Sequence, residues 1–279
     1  EMSQLRELLV QFKEHKTGMI GLAIILVILF LAVFVSILPL YDPIAKVDRP
    51  FTSISMGHPF GVDDLGRDIF SRVIWGSRIS IRIALSAVAL SLLWGVSLGL
   101  ISGYFGGLVD EILMRAMDIL FAFPSILLAL VIIVVVGRGE NNIVLALGTV
   151  YTPILARVSR GVTLKICEET YVEAAKAIGS SNLRILLKEV LPNALPTIIV
   201  QSTLVISYAI LDETALTFIG MGTQPPTPSW GLMLFDGRVF LRIAPLLAIA
   251  PGLVCMITVL GFNLLGDGLR DCLDPKLRW

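Results

Sequence analysis

Charged residues and the residues that commonly bind metals are both scarce in this chain of 279 residues. Asp, Glu, Lys and Arg together make up 16% of it, and there are two histidines and three cysteines. Cys167, Cys255 and Cys272 show no CxxC or Cys/His spacing, so neither a disulfide framework nor a metal site is predicted. The formal net charge is zero, which gives no reason to expect a nucleic-acid partner.

Phosphate-binding motifs are missing as well. The pattern GxxxxGK[ST] does not occur, and the glycines of "GYFGG" and "GDGLRD" lack the lysine and the strand-to-helix context of a nucleotide-binding loop. The acidic residues of "FGVDDLGRDIFSR" (60–72) lie close together, but their spacing alone supports no acid/base chemistry. We expect this segment at the outward-facing interface between the membrane and water. No catalytic residue is predicted, and the chain itself is not expected to hydrolyse ATP.

Apolar residues, in contrast, are abundant. They make up 56% of the chain, and the mean hydropathy is +0.86. Because a soluble domain cannot bury that much apolar surface, the predicted fold class is an all-α polytopic membrane protein. Six apolar runs are candidates to cross a hydrocarbon core of about 30 Å. They cover residues 18–38, 79–102, 119–136, 143–155, 194–219 and 243–265.

The first apolar run indicates a retained anchor, because it is too long for a cleaved signal peptide and is followed by prolines. With a cytoplasmic N-terminus, more than half of the 22 Lys and Arg residues fall in cytoplasmic segments, so both termini are expected inside. The predicted division is a cytoplasmic segment (1–17), a first transmembrane helix (18–40), an outer loop (41–78), a five-helix core (79–266) and a cytoplasmic tail (267–279). A cytoplasmic helix at 168–182 interrupts the core.

Small residues recur at every fourth position of the second apolar run. They are Ala87, Ser91, Gly95, Gly99 and Gly103. Such a stripe lets another helix approach closely in lipid. The stripe predicts either tight packing within the chain or a surface that lines a pore or contacts another subunit.

The helix predicted at 168–182 contains the stretch "ETYVEAAKAIG". Tyr171, Ala174, Ala175 and Ile178 fall on one face at three- and four-residue spacing. Gly179 stands where a residue in the left-handed conformation would end the helix. Taken alone, the pattern fits either a helix lying on lipid headgroups or a helix covered by another protein.

The same stretch carries a resemblance to a known family. "EAAKAIG", followed after nine residues by "EVLP", resembles the EAA signature of ABC-importer permeases. The matching residues are Glu173, Ala174, Ala175, Gly179, Leu191 and Pro192, while Glu189 stands where the signature has isoleucine. Residues 60–72, 103–124, 210–231 and 262–278 are similar to the second, C-type permease subunit of dipeptide, oligopeptide and nickel importers.

The resemblance implies a type I ABC-importer-like permease fold with six transmembrane helices. It also implies an inner-membrane subunit that forms half of a pore for short peptides. Nickel or metal chelates, glutathione and oligosaccharides are the alternative substrates. A secondary carrier driven by ions would need inverted repeats, and none is evident. An intramembrane enzyme would need a membrane-depth Ser/His, paired Asp or HExxH arrangement, and none occurs.

The resemblance further implies the partners. These are a second permease subunit, two ATP-binding subunits that hold ATP and Mg²⁺, an extracytoplasmic substrate-binding protein and membrane lipid. The cytoplasmic helix would couple the chain to the ATPase. The residues expected at that contact are Tyr171, Glu173, Ala174, Ala175, Ile178 and Gly179.

Two features near the fifth apolar run leave alternatives open. Asp212 and Glu213 either mark the pathway or a gate, or are solvated at the outer surface, because carboxylates at such depth usually face protein or water. The proline-rich stretch "TQPPTPSWG" (223–231) cannot continue a helix. It is either a docking surface for the binding protein or a structural re-entry.

Overall fold

The computed structural model describes residues 11–273. Within that part of the chain the fold is helical, with one isolated β-bridge between Val62 and Asp68, so the all-α prediction is confirmed. The helices are α1 (Lys16–Phe34), α2 (Ile69–Phe105), α3 (Gly107–Phe121), α4 (Ser125–Val136), α5 (Glu140–Cys167), α6 (Thr170–Ala177), α7 (Asn182–Ile185), α8 (Leu191–Phe218), α9 (Trp230–Gly237) and α10 (Leu246–Leu273). A π-helical turn, Leu186–Val190, joins α7 to α8.

Five helical segments in the described part are long and apolar enough to cross a membrane. They are α1, α2, α5, the continuous segment Asn182–Phe218 and α10. A sixth crossing is obtained if α3 and α4 count as one broken span. α2 begins at Ile69, inside the segment predicted as outer loop, because its first turns are buried against protein. α10 likewise continues to Leu273, beyond residue 266.

The third predicted span, 119–136, is wrong as a continuous helix. α3 ends at Phe121, α4 begins at Ser125, and the two axes differ by 93°. Pro124 lies between them; it has no backbone N–H, and it disfavours helical geometry at the residue before it. The break therefore follows from a proline inside the apolar run. The hydropathy of the run alone predicts one continuous span.

The small-residue stripe of α2 packs against α5 within the chain. A Cβ atom added at Gly99 would lie 2.4 Å from the backbone oxygen of Ala156, and one at Gly95 would lie 2.8 Å from the oxygen of Thr152. The hydroxyl of Ser91 donates a hydrogen bond to the carbonyl of Gly148 at 3.0 Å. Of the two interpretations of the stripe, tight packing within the chain is confirmed.

A second close contact joins α1 to α10. A Cβ atom added at Gly21 would lie 2.5 Å from the backbone nitrogen of Leu265. At one end of this contact, Nε2 of His15 lies 3.0 Å from a carboxylate oxygen of Asp271. Glycine thus brings the first helix to the last one at backbone distance, as expected of helix pairs in lipid.

The loop before α2 is organised by buried charges. Oδ2 of Asp63 accepts a hydrogen bond from Nε of Arg67 at 2.6 Å, and its other oxygen accepts two backbone N–H groups. Arg72 donates to the carbonyl of Pro43 at 2.8 Å. Asp68 caps α2 by accepting from the backbone N–H of Ser71 at 2.7 Å. Both carboxylates are therefore occupied in holding the loop, as a purely structural role requires.

We predict that Gly99→Ala destabilises the permease by about 1–3 kcal/mol, because a methyl group would overpack the contact between α2 and α5. Thermal unfolding of the detergent-solubilised protein measures the change. The matched control is Gly161→Ala on α5, where an added Cβ meets nothing within 4 Å. Helix propensity alone should leave this control unchanged or slightly more stable. Equal melting temperatures for the two variants would contradict the packing assignment.

Candidate functional site: the 168–182 segment and a cavity beside the helix break

The short helix α6 is held to the membrane core by one buried side chain. Val172 has no exposed surface and packs in an apolar cluster, which we call the anchoring cluster. Its buried members are Leu100, Ile166, Val172, Ile185, Leu186, Val190, Ala194 and Ile198. These residues come from α2, α5, α6, α7, the π-helical turn and α8, so the anchoring cluster connects α6 with three long helices.

The end of α6 has the geometry of a Schellman motif. Gly179 has φ +80°, in the left-handed region where glycine meets no Cβ penalty. Its N–H donates to the carbonyl of Lys176 at 3.0 Å, and the N–H of Ser180 donates to the carbonyl of Ala175 at 3.1 Å. This pattern satisfies the last carbonyls of the helix and turns the chain toward α7.

The opposite face of α6 is uncovered. Ile178 is 82% exposed and Tyr171 is 42% exposed, while Glu173 and Ala174 are also open to the surroundings. Ala175 differs from its predicted neighbours, because it is partly buried and packs against the anchoring cluster. Three of the four residues predicted to share a face are therefore open, and the fourth helps to hold the helix in place.

Two leucines that follow in the chain, at the start of the apolar segment Asn182–Phe218, are also exposed. Leu183 and Leu187 are 67% and 52% exposed. We call the exposed residues Tyr171, Ala174 and Ile178 the open face of the segment. Exposed apolar patches of this kind mark interaction sites.

Sequence reasoning missed the role of Tyr104, at the end of α2. Its hydroxyl donates to the side-chain oxygen of Asn182 at 3.0 Å, and Nζ of Lys176 lies 5.3 Å from the centre of its ring. Tyr104 therefore connects α2 with the last turn of α6 and with the first residue of α7. The sequence offered one signal for Tyr104, its position in "GYFGG", but the glycines of that stretch were considered only as a possible nucleotide-binding loop.

The two neighbouring acidic residues of α8 differ in their surroundings. Glu213 is fully buried, and its carboxylate accepts hydrogen bonds from Thr217 at 3.1 Å and Thr214 at 3.4 Å. Solvation at an outer surface therefore does not describe Glu213. Its contacts lie within the packed helices, where satisfied polar groups hold a structure together.

Asp212, by contrast, faces a cavity of about 340 Å³. The hydroxyl of Tyr151 donates to its Oδ2 at 2.6 Å. The cavity is lined by α3, α4, α5 and α8 and by the break between α3 and α4, and its wall also contains Phe121, Phe123 and Tyr208. The sequence pointed to Asp212 but not to Tyr151, which lies 61 residues away in the chain.

The proline-rich stretch folds back into the protein at its end. Trp230 is fully buried, and its indole N–H donates to the carbonyl of Val73 on α2 at 3.2 Å. Its backbone N–H lies 3.3 Å from the hydroxyl of Ser80. These contacts fit a structural re-entry, while Gln224 and Pro225 remain exposed.

Metal ligands do not gather at any of these places. Among residues 11–273, no group of three or more His, Cys, Asp or Glu side chains is arranged to hold a metal ion.

We predict that Val172→Asn loosens the 168–182 segment, because a buried amide without a partner costs about 1–3 kcal/mol. Limited proteolysis of the purified permease should then cut between residues 168 and 182 at lower protease concentration. Ile178→Asn makes the same polar change on the open face and should leave the digestion pattern unchanged. Equal sensitivity of the two variants would show that Val172 is not the anchor.

Comparison with known proteins identifies the family. Residues 95–279 match the family described as binding-protein-dependent transport system inner membrane component. Residues 3–53 match the N-terminal TM domain of oligopeptide transport permease C. The solved structure of the MetNI methionine ABC transporter in an inward-facing conformation has the same fold, with TM-score 0.60 over 73% of this chain and 97% of that chain. Their sequence identity is 18%, so this likeness shows the fold alone.

Two curated relatives align over nearly the whole chain. The dipeptide transport system permease protein DppC of Alkalihalophilus pseudofirmus is 43% identical over 282 residues, which are 99% of this chain and 91% of that protein. The glutathione transport system permease protein GsiD of Pectobacterium atrosepticum is 42% identical over 268 residues, which are 95% and 89%. The chain therefore belongs to the binding-protein-dependent transport system inner membrane components, and it is a permease subunit of an ABC importer with the type I fold.

Proposed function

We propose that this chain forms half of the translocation pore of an importer of short peptides and is driven by a separate ATPase through the 168–182 segment. The observation that carries the proposal is the two-sided character of α6. One side is fixed to the core through Val172, and the other leaves Ile178 82% exposed. A helix so placed can take up an external force and transmit it without sliding.

The proposed partners follow from the importer family. A second permease completes the pore, and two ATP-binding subunits hold ATP and Mg²⁺ and contact the open face. A substrate-binding protein delivers the solute on the other side of the membrane. Both termini and the 168–182 segment then lie in the cytoplasm, as the distribution of Lys and Arg favours.

Short peptides are the proposed substrate because the named functions of both aligned relatives concern peptides. One relative is named for dipeptides, and the other for glutathione, which is itself a tripeptide. Binding of metal chelates or oligosaccharides by the binding protein would change the proposed substrate class. Screening the thermal stability of the cognate binding protein against short peptides, glutathione, metal chelates and oligosaccharides distinguishes these classes. A ligand that binds the folded protein raises its melting temperature.

The proposed mechanism is a rigid-body motion. When ATP closes the ATPase dimer, the open face is carried with it. Because the anchoring cluster joins α6 to α2, α5 and α8, the displacement moves these helices together. The close contact between α2 and α5 keeps that pair from shearing, so the motion reaches the membrane core as a change of tilt.

We predict that Gly179→Val uncouples ATP hydrolysis from transport, because a β-branched residue does not tolerate φ +80°. An added Cβ would meet nothing within 4 Å, so the effect comes from the backbone and not from crowding. Asparagine tolerates the left-handed region, so Gly179→Asn should retain most of the transport. Uptake per ATP hydrolysed in proteoliposomes with all partners measures the coupling. Wild-type coupling in Gly179→Val would refute the assignment.

A second prediction concerns the exposed carboxylate of α6. Glu173→Lys should leave the permease inserted and folded, because Glu173 makes no buried contact, but it should weaken binding of the ATPase by reversing the charge at the contact. Co-purification of the ATP-binding subunits and transport in vesicles measure the loss, and Glu173→Gln should be affected less. Full assembly and full transport by Glu173→Lys would contradict the role given to this residue.

Cross-linking tests the partner directly. A cysteine at Ala174, which is exposed, should form a cross-link to an ATP-binding subunit, whereas a cysteine at the partly buried Ala175 should react more slowly. Transport by the purified chain without nucleotide or partners would instead support a secondary carrier.

A further inference from the structure

Because α4 is too short to cross a membrane alone, the break between α3 and α4 falls within the hydrocarbon core when the two helices count as one broken span. α4 has 12 residues, which reach about 18 Å at a rise of about 1.5 Å per residue, roughly half of a 30 Å hydrocarbon core. Residues 122–124, which follow α3, are not helical. Non-helical backbone at that depth is tolerated only where protein covers it or where it lines a cavity that contains water.

The cavity beside this break contains the carboxylate of Asp212. In the described part of the chain, its hydrogen bond comes from the hydroxyl of Tyr151, and no Lys, Arg or His forms an ion pair with it. A carboxylate offers about four acceptor positions. One neutral donor leaves acceptor positions unused and leaves the negative charge without a counterion.

The rest of the wall suits a cation as well. Phe123, Tyr151 and Tyr208 place three aromatic rings around the same space, while a face of the fourth ring, Phe121, is already covered by the guanidinium of Arg157 at 4.0 Å. The faces of aromatic rings attract ammonium groups, and more strongly where water is partly excluded. A cavity of about 340 Å³ is also within the usual range for small-ligand sites.

We propose that the cavity lined by Asp212, Tyr151 and these aromatic rings lies on the translocation pathway and binds the free ammonium group of the substrate as it passes. This inference rests on the proposed import function and narrows its substrate class to solutes that carry an amine. Tyr151 orients the carboxylate, and the rings cover the apolar part of the solute. Residues 122–124 are not helical, and this interruption leaves room for the solute.

The first experiment measures the electrostatic character of the cavity without any substrate. Tyr208, which is 53% exposed and lines the cavity, is replaced by cysteine in a chain whose native cysteines are changed to serine or alanine. The assembled importer is then treated with a cationic and with an anionic methanethiosulfonate of similar size. We expect the cationic reagent to react about tenfold faster, and we expect Asp212→Asn to bring the ratio close to one.

The outcomes of this experiment are unambiguous. A lack of reaction with either reagent would place the cavity in lipid or in a dry interface and would overturn the proposal. Equal rates with Asp212 intact would overturn it too, since the carboxylate would then exert no net attraction on a cation in the cavity. Asp267→Asn is the matched control, because Asp267 is an exposed carboxylate on α10, away from the cavity, and should leave the ratio unchanged.

The second experiment measures transport in proteoliposomes that contain all partners. Dialanine and N-acetyl-dialanine are each supplied at concentrations that saturate the binding protein. Asp212→Asn is expected to lower dialanine uptake about tenfold relative to wild type while leaving ATPase activity intact. Asp212→Glu should restore part of it, and any uptake of the acetylated peptide should be unaffected.

Failure of the inference and failure of the proposed function give different results. An unchanged dialanine rate in Asp212→Asn, or an equal loss for both peptides, would show that Asp212 plays no part in amine binding. If the wild-type importer takes up neither peptide, the peptide-import function itself is wrong. In that case the labelling ratio still decides whether the cavity attracts cations.

Discussion

The contact between α2 and α5 at backbone distance is the constraint on which the rest of the molecule depends. Gly95, Gly99 and Gly103 remove the side chains that would separate the two helices, and Ser91 adds a hydrogen bond across the gap. Transfer of an apolar side chain from lipid to the protein interior gives little hydrophobic stabilisation. Membrane helices are therefore held together largely by van der Waals packing of this kind. The cavity wall, the anchoring cluster and the seat of Trp230 are all built on one or both of these helices.

The acidic residues illustrate how burial separates structural from functional roles. Asp63 and Asp68 are buried and fully engaged by arginine, histidine and backbone donors, so they hold the loop before α2. Glu213 is buried among hydroxyls. Asp212 alone of these four combines an open cavity with neutral partners. Charge density in the sequence does not distinguish these cases, because the distinction lies in which groups surround each carboxylate.

Much of the fold could be predicted from the sequence, since apolar runs and the four-residue stripe are local patterns. The helix end at Gly179 was predictable for the same reason. The position of the 93° break was not, because the hydropathy of residues 119–136 conceals the effect of Pro124. Nor was the pairing of Tyr151 with Asp212, or of Tyr104 with Asn182, because these contacts join distant parts of the chain. The open face of α6 agrees with the expected surface except at Ala175, whose burial depends on the fold around it.

The exposure of Ile178 and Leu183 has a consequence for the life of the subunit in the cell. With the 168–182 segment in the cytoplasm, as proposed, an unaccompanied copy presents these apolar side chains to water, where chaperones and quality-control proteases bind such features. Any protein that covers them stabilises the copy by mass action. Abundance of this subunit would therefore follow the supply of its soluble companion, which would keep the two in proportion without a dedicated regulator.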